Sequence, residues 1–100
     1  MPFPDSFDYL NIGNRHYEME SYEEAIRCYE KVLSIDVIYI KAIYRMGEAY
    51  RELKNYEKAM DCFEIVLGLD PNDVEAAENL KWLKELVHAP KKKRRTIFTR

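Results

Sequence analysis

Apolar residues along the chain recur at intervals of three and four, the spacing that places side chains on one face of an α-helix. Two such series occur in the first 35 residues, and polar residues at Glu20 and Ser21 separate them. The first series contains Tyr9, Ile12 and His16, and the second contains Ala25, Ile26, Tyr29, Val32 and Leu33. This pattern predicts two antiparallel helices joined by a short turn.

Residues at the predicted helix ends are of the types that cap helices. Ser21 is followed three residues later by a glutamate, which predicts a capping box at the start of the second helix. Asn55 holds the equivalent place before the fourth helix and is predicted to be its N-cap. Pro71 cannot continue that helix, and Asn72 or Asp73 is predicted to cap the next one.

Residues 6–39 and 40–73 are two copies of one pattern with a period of 34 residues. Ten positions are identical, and the matching pairs are Gly13 and Gly47, Glu18 and Glu52, Tyr22 and Tyr56, Glu23 and Glu57, Ala25 and Ala59, Cys28 and Cys62, Glu30 and Glu64, Val32 and Val66, Leu33 and Leu67, and Asp36 and Asp70. A period of this length indicates stacked repeats, in which each unit buries its apolar face against its neighbour.

Small residues stand at equivalent places in both units. Gly13 and Gly47 lie on the first helices and Ala25 and Ala59 on the second ones, so the paired backbones are predicted to cross closely. A further apolar series predicts a closing helix over residues 74–88, and it consists of Ala76, Ala77, Leu80, Leu83, Leu86 and Val87.

These residues resemble the tetratricopeptide repeat family, whose unit carries large, small and aromatic residues and a proline at set offsets. The second unit presents Ile43, Met46, Gly47, Tyr50, Ala59, Phe63, Val66 and Pro71 at those offsets, and the first presents Tyr9, Ile12, Gly13, His16, Ala25, Tyr29, Val32 and Val37. The first unit departs from the family at His16, where an aromatic residue is usual, and at Val37, where proline is usual. The second departure predicts a looser turn or a longer helix between the units.

The resemblance implies an all-α fold, in which antiparallel helix-turn-helix repeats stack as a short right-handed superhelix. The organisation that follows has an N-terminal lead (1–5), a first repeat (6–39), a second repeat (40–73), a capping helix (74–88) and a basic tail (89–100).

Composition agrees with a small soluble domain, since 47% hydrophobic and 34% charged residues in a chain of 100 suffice for a modest core. Cys28 and Cys62 are equivalent residues of the two repeats and are interpreted as ordinary buried thiols. The start of the chain has no secretory signal pattern, and no apolar run has the length of a membrane span. The expected location is the cytoplasm, with the nucleus as the alternative, and no membrane contact is expected.

The last ten residues differ in composition from the rest. They carry six basic side chains and no acid, so the net charge of −2 divides into +6 here and −8 on the preceding ninety residues. The basic residues are Lys91, Lys92, Lys93, Arg94, Arg95 and Arg100. Such a run has no apolar face to bury, and a disordered tail is predicted. Three interpretations of this segment remain open. A solvated tail is preferred, an import or targeting signal such as one for nuclear import comes second, and a contact with nucleic acid comes third.

The resemblance further implies that the first helices line a concave groove, which holds a peptide or a helix of a partner protein. Residues at groove positions are Phe7, Leu10, Asn11, Asn14 and Tyr17 in the first repeat, Lys41, Tyr44, Arg45, Glu48 and Arg51 in the second, and Glu75, Asn79 and Trp82 in the closing helix. Aromatic and cationic side chains together predict an acidic partner peptide with apolar anchors. For the aromatic residues, packing at the edge of the repeats is the alternative.

Part of the groove resembles the carboxylate-clamp members of the family. Asn11, Lys41 and Arg45 match the offsets at which those proteins hold a terminal carboxylate, and a cationic pair four residues apart on one helix face suits that ligand. The clamp also takes a lysine and an asparagine from a preceding repeat, which this chain lacks. A solvated basic face is the alternative.

Residues for catalysis or metal binding do not group in the sequence. No histidine has a spacing to serine or cysteine that suggests a nucleophile with its base, and His16 with Glu20 supplies only two ligands of a metal site. Gly13, Gly47 and Gly68 stand singly and form no phosphate-binding loop. The sequence therefore predicts no enzyme, no cofactor and no metal.

The predicted function is protein binding, as an adaptor or a co-chaperone-like scaffold. Two alternatives remain. Two and a half repeats fall short of the usual three, so the chain could assemble with itself as a homodimer, with Trp82 as a contact. The basic tail leaves a role as a nucleic-acid accessory protein as the weakest interpretation.

Overall fold

The computed structural model describes the backbone of residues 4–98 and the side chains of residues 4–87. It contains five helices, α1 (Ser6–Glu18), α2 (Tyr22–Ile35), α3 (Ile40–Glu52), α4 (Tyr56–Leu69) and α5 (Val74–Phe98). No strand occurs in this part of the chain. The predicted all-α repeat fold is therefore confirmed, with α1 and α2 as the first pair and α3 and α4 as the second.

The core consists of two linked clusters, each centred on a fully buried aromatic side chain of a second helix. Tyr29 packs with residues of α1 and with Ala42 of α3, and Phe63 packs with residues of α3 and with Ala76 of α5. Each aromatic ring thus contacts the first helix of its own unit and the first helix of the next. This shared burial stacks the units and seats α5 on the second one.

Close helix crossing, predicted from the small residues, is confirmed at both glycines. A Cβ atom added to Gly13 would lie 2.7 Å from Cε1 of Tyr29, and one added to Gly47 would lie 2.9 Å from Cζ of Phe63. Real Cβ atoms almost never approach another heavy atom so closely. The glycines therefore make room for the two central rings.

Two of the predicted helix caps are present. The Asn55 side chain accepts a hydrogen bond from the backbone N–H of Lys58 at 3.4 Å, and the Asp73 side chain accepts one from Ala76 at 3.0 Å. The sequence did not indicate the capping box of α1, in which the side chains of Asp5 and Asp8 each accept from the other residue's backbone N–H.

The capping box predicted at Ser21 is wrong, because its side chain makes no capping hydrogen bond. The backbone N–H of Ser21 instead donates to the carbonyl of His16 at 2.8 Å, within the turn that ends α1. Oε2 of Glu24, which the box would have used, instead accepts a hydrogen bond from Nη2 of Arg27 at 2.8 Å. The backbone N–H of Ser21, which Glu24 would have bound in the box, is therefore already used in the turn.

The turn between the units is neither looser nor longer where Val37 replaces proline. Helices α2 and α4 end at equivalent residues, and α3 and α5 begin at equivalent residues. In both turns an aspartate holds the backbone, since Asp36 accepts from Ile38 N–H and Asp70 accepts from Asn72 N–H, each at 3.2 Å. The aspartate side chain thus fixes the turn without help from proline.

Helix α5 extends beyond the end that the sequence predicts at residue 88, and the predicted disordered tail is helical in backbone as far as Phe98. Lysine and arginine are good helix formers, so the basic run does not oppose a helix by its intrinsic preference. Pro90 has a backbone angle compatible with a helix but lacks the N–H for one hydrogen bond. None of the helices in the described part of the chain is long and apolar enough to cross a membrane.

Candidate functional site

A groove with a volume of about 500 Å³ lies along α1, α3 and the start of α5. Its lining consists of Phe7, Leu10, Asn11, Asn14, Ile40, Lys41, Tyr44, Arg45, Glu48, Asp73 and Glu75. These residues recur at intervals of three and four on α1 and α3, so one face of each first helix turns toward the groove. The tight glycine contacts set how closely each of these first helices lies against the second helix of its own repeat.

Most of the predicted partner-binding residues come together in this groove. Four predicted residues do not line it, and these are Tyr17, Arg51, Asn79 and Trp82. Glu75, which the register also indicated, lines it at the start of α5. Ile40 and Asp73 also line the groove but were not predicted from the sequence. Their positions at the start of α3 and directly before α5 could have indicated that they lie there.

Tyr44 forms part of the groove wall and is held from two sides. Its ring meets Phe63 edge-on, with centroids 5.3 Å apart, and its hydroxyl accepts a hydrogen bond from Nδ2 of Asn79 at 3.1 Å. Burial raises the pKa of Tyr44 to about 12, with a smaller contribution in the same direction from the nearby carboxylates of Glu48 and Glu75. The hydroxyl is therefore neutral and fixed at physiological pH.

Arg45 is also held in place. Its Nη1 lies 3.1 Å from Oε1 of Glu48, and its guanidinium lies 5.7 Å from the ring centroid of Tyr17. Tyr17 in turn meets Tyr22 edge-on at 5.2 Å. Tyr17 therefore does not line the groove itself, but its ring contacts the Arg45 guanidinium, which does.

The Glu48 side chain lies in a largely buried position. Burial raises its pKa above the usual value, while the charges of Arg45 and Arg51 act in the opposite direction. Asn14, which holds the equivalent position on α1, uses its Oδ1 to accept a hydrogen bond from the hydroxyl of Tyr29 at 2.7 Å. Polar partners within the protein therefore hold the side chains of Asn14, Tyr44, Arg45 and Glu48.

The three residues that match the clamp all line the groove. Asn11 and Lys41 are exposed, and no ion pair of Lys41 occurs among the residues whose side chains are described. The two cations of the groove share it with three carboxylates, those of Glu48, Asp73 and Glu75. Asp73 is also the cap of α5. The groove is therefore mixed in charge, and less cationic than the clamp residues alone suggest.

A second pocket of about 270 Å³ is lined by Arg51, Glu78, Asn79 and Trp82. Arg51 donates through Nη1 to Oδ1 of Asn79, and the same amide donates to Tyr44. The Asn79 side chain therefore forms a wall between this pocket and the groove.

The cysteines lie away from both pockets. Cys62 is buried and burial raises its pKa to about 11, whereas Cys28 is only partly buried, with a pKa that burial also raises. His16 stands where the second repeat has Tyr50, and its buried Nδ1 has no hydrogen-bond partner.

Comparison with protein families gives two matches. A family model described as tetratricopeptide repeat matches residues 40–73, which are the bounds of the second unit. A model described as TPR repeat matches residues 13–51. The two matches together span residues 13–73. A search of curated protein sequences finds no match.

Solved structures of several helical repeat domains resemble the chain. The Arabidopsis OM64 TPR domain is 28% identical over 82% of this chain and 68% of that one, with a TM-score of 0.78. The second TPR domain of human RPAP3, solved with the HSP70 peptide SGPTIEEVD, is 28% identical over 81% and 68%, with a TM-score of 0.76.

The protein MamA has a TM-score of 0.80 but only 18% identity, and it supports the fold alone. The matched region covers 82% of this chain and 48% of MamA, so this chain spans about half the length of MamA.

The repeated pattern, the stacked helix pairs, the family matches and the related domains agree on one conclusion. The chain belongs to the tetratricopeptide repeat family.

Proposed function

We propose that this protein is an interaction module that holds an extended peptide of a partner protein in the groove between α1, α3 and α5. The observation that carries the proposal is the groove itself, whose walls come from both repeats and the closing helix. Hydrogen bonds and ion pairs already fix Tyr44 and Arg45. Binding to such a preorganised surface costs little side-chain entropy.

The groove favours a peptide with an acidic end and apolar side chains. Lys41 and Arg45, with the amide of Asn11, can hold a carboxylate through charge-assisted hydrogen bonds. Phe7, which is 61% exposed, and Tyr44 offer apolar contact surface next to them. The RPAP3 domain, which binds a peptide with two glutamates and a terminal aspartate, supports this choice.

The role that fits this surface is that of an adaptor or scaffold in the cytoplasm, not that of an enzyme. The groove is lined by hydrogen-bonding, charged and apolar side chains and includes no cysteine, serine or histidine. Its chemistry is therefore suited to holding a ligand in place.

Titration calorimetry with the acidic nonapeptide SGPTIEEVD tests the proposal. Lys41→Ala and Arg45→Ala are each expected to weaken binding about tenfold, because each removes a hydrogen bond between charged groups. Arg27→Ala is the matched control, since Arg27 pairs with Glu24 at the same kind of spacing on α2, outside the groove. It should leave the affinity unchanged.

A second peptide with an amidated C-terminus separates the parts of the proposal. Weaker binding of this peptide supports contact with the terminal carboxylate. Equal binding of the two peptides rejects the terminal contact, while sensitivity to Lys41→Ala still supports the groove. If Lys41→Ala and Arg45→Ala both leave binding unchanged, the groove is not the binding site.

A further inference from the structure

The turns between successive units form one edge of the stack, because α2 and α4 end there and α3 and α5 begin there. We call residues 35–38 and 69–74 the turn edge. Val37 is 74% exposed and Ile38 is 63% exposed, although large apolar side chains are usually buried. The other exposed large apolar residues of the turn edge are Ile35, Leu69 and Val74. Five such residues on one edge indicate a contact surface.

The turn edge is also acidic, since it contains Asp36, Asp70 and Asp73 and neither lysine nor arginine. Each aspartate uses its Oδ1 to accept from a backbone N–H, and among the described residues no donor reaches its Oδ2. Lys31 and Lys41 flank the first turn in sequence, but Lys31 lies over a tyrosine ring of α1 and Lys41 lines the groove. A partner that fits the turn edge therefore combines apolar side chains with positive charge.

The end of the chain has this composition. Residues 91–98 join five basic residues to Ile97 and Phe98, and they contain no acid. Helix α5 begins at the turn edge with Val74 and continues for 25 residues to Phe98. At the rise of an α-helix, its far end lies about 36 Å from the turn edge of its own copy. The basic end of α5 can therefore meet a turn edge only in a second copy of the chain.

We propose that the basic end of α5 binds the turn edge of a second copy, so that the chain assembles head to tail. Ile97 and Phe98 of one copy cover Val37 and Ile38 of the next, and the neighbouring lysines and arginines pair with the aspartates of the turn edge. Because the two contacting surfaces differ, each copy can use both, and the assembly grows beyond two copies unless it closes into a ring. The interface is small, so the copies separate at low concentration. The inference does not rest on the proposed function, since the contact needs no peptide in the groove.

Analytical ultracentrifugation of the full chain tests this inference. The average mass is expected to rise above that of the monomer as the concentration increases, and to fall back at high salt, because salt screens exposed charges. Ile38→Lys places a cation on the turn edge and is expected to weaken the association at least about tenfold. Met19→Lys is the matched control, because Met19 is 64% exposed and follows α1 at the opposite edge of the stack. It adds the same charge and should leave the association unchanged.

A mixture of two variants identifies which surfaces pair. The double variant Ile97→Ser, Phe98→Ser keeps the turn edge, and Ile38→Lys keeps the basic end of α5, so each alone should sediment as a monomer with an unchanged circular dichroism spectrum. Their equimolar mixture contains one working pair of surfaces and should form a complex of two copies that grows no further.

A mixture that stays monomeric while the unmodified chain associates would overturn the head-to-tail contact, since a symmetric dimer through one surface gives that result. An unmodified chain that is monomeric at every concentration in low salt overturns it too. Calorimetry with the acidic nonapeptide measures the groove separately, so either result leaves the proposed function standing.

Discussion

At the residue scale, the closest packing in each repeat joins a glycine to an aromatic ring. Gly47 lies against Phe63 and Gly13 against Tyr29, and both rings are fully buried. The rings cannot withdraw without disturbing the core, because protein interiors are closely packed. The separation of the first and second helices, and with it the shape of the groove, therefore depends on these two positions.

Gly47→Ala is expected to lower the free energy of unfolding by about 1–3 kcal/mol, since the added methyl group must displace Phe63. Urea denaturation measures the change. Gly68→Ala is the control, because a Cβ atom there meets nothing within 4 Å. The better helix preference of alanine should then raise stability by about 0.5 kcal/mol. Equal effects of the two substitutions would contradict the packing argument.

At the scale of elements, the turns within the two repeats share an unusual backbone. Glu20 and Lys54 have φ angles of 62° and 65°, in the left-handed region that favours glycine. The residue after each donates its N–H into the last turn of the preceding helix, Ser21 to His16 at 2.8 Å and Asn55 to Tyr50 at 2.9 Å. These bonds satisfy carbonyls at the helix end and hold the turn despite the strain.

Lys54→Gly is expected to stabilise the protein by about 1 kcal/mol, because glycine adopts this backbone without a Cβ penalty. Thermal unfolding followed by circular dichroism measures the effect. Lys58→Gly, inside α4, should instead destabilise by about 1 kcal/mol, since glycine is a poor helix former. A loss of stability in Lys54→Gly would show that the lysine side chain contributes more than the backbone strain costs.

Helix α5 has the features of a helix that closes the stack. Lys81 stands where Gly13 and Gly47 admit the ring of a second helix, and it is exposed. A lysine at this position leaves no room for another aromatic residue in the same arrangement. Ala76 and Leu83, on the opposite side, are fully buried against the second repeat. We therefore expect α5 to end the regular packing.

At the scale of the whole molecule, stability should come from the segment between Leu10 and Leu83, which contains every residue of the two core clusters among the described side chains. Deleting residues 91–100 is therefore expected to leave the melting temperature nearly unchanged. The helical circular dichroism signal should fall, because the backbone is helical as far as Phe98. A large drop in melting temperature would show that the basic segment packs on the repeats. Leu83→Ala, as the contrast, should cost about 2–5 kcal/mol.

The sequence by itself determined the period and the helix pairs, and its resemblance to the family indicated most of the side chains that line the groove. Helix periodicity is a local property, since each residue turns the chain by a fixed angle, and the 34-residue register transfers a face from one unit to the next. For this reason the family resemblance, read through this register, could assign Asn11, Lys41 and Arg45 to one surface, and all three line one groove in the structure.

Only the tertiary structure decided which polar groups pair. Asn79 joins Tyr44 to Arg51 across two helices, and Asn14 binds the core tyrosine. At Ser21 the backbone N–H that the predicted capping box needs is bound by the preceding turn instead. Each pairing depends on distances of a few ångströms between residues far apart in the chain or on competition for one backbone donor. Helix packing fixes those distances, and a pattern along one chain does not contain them.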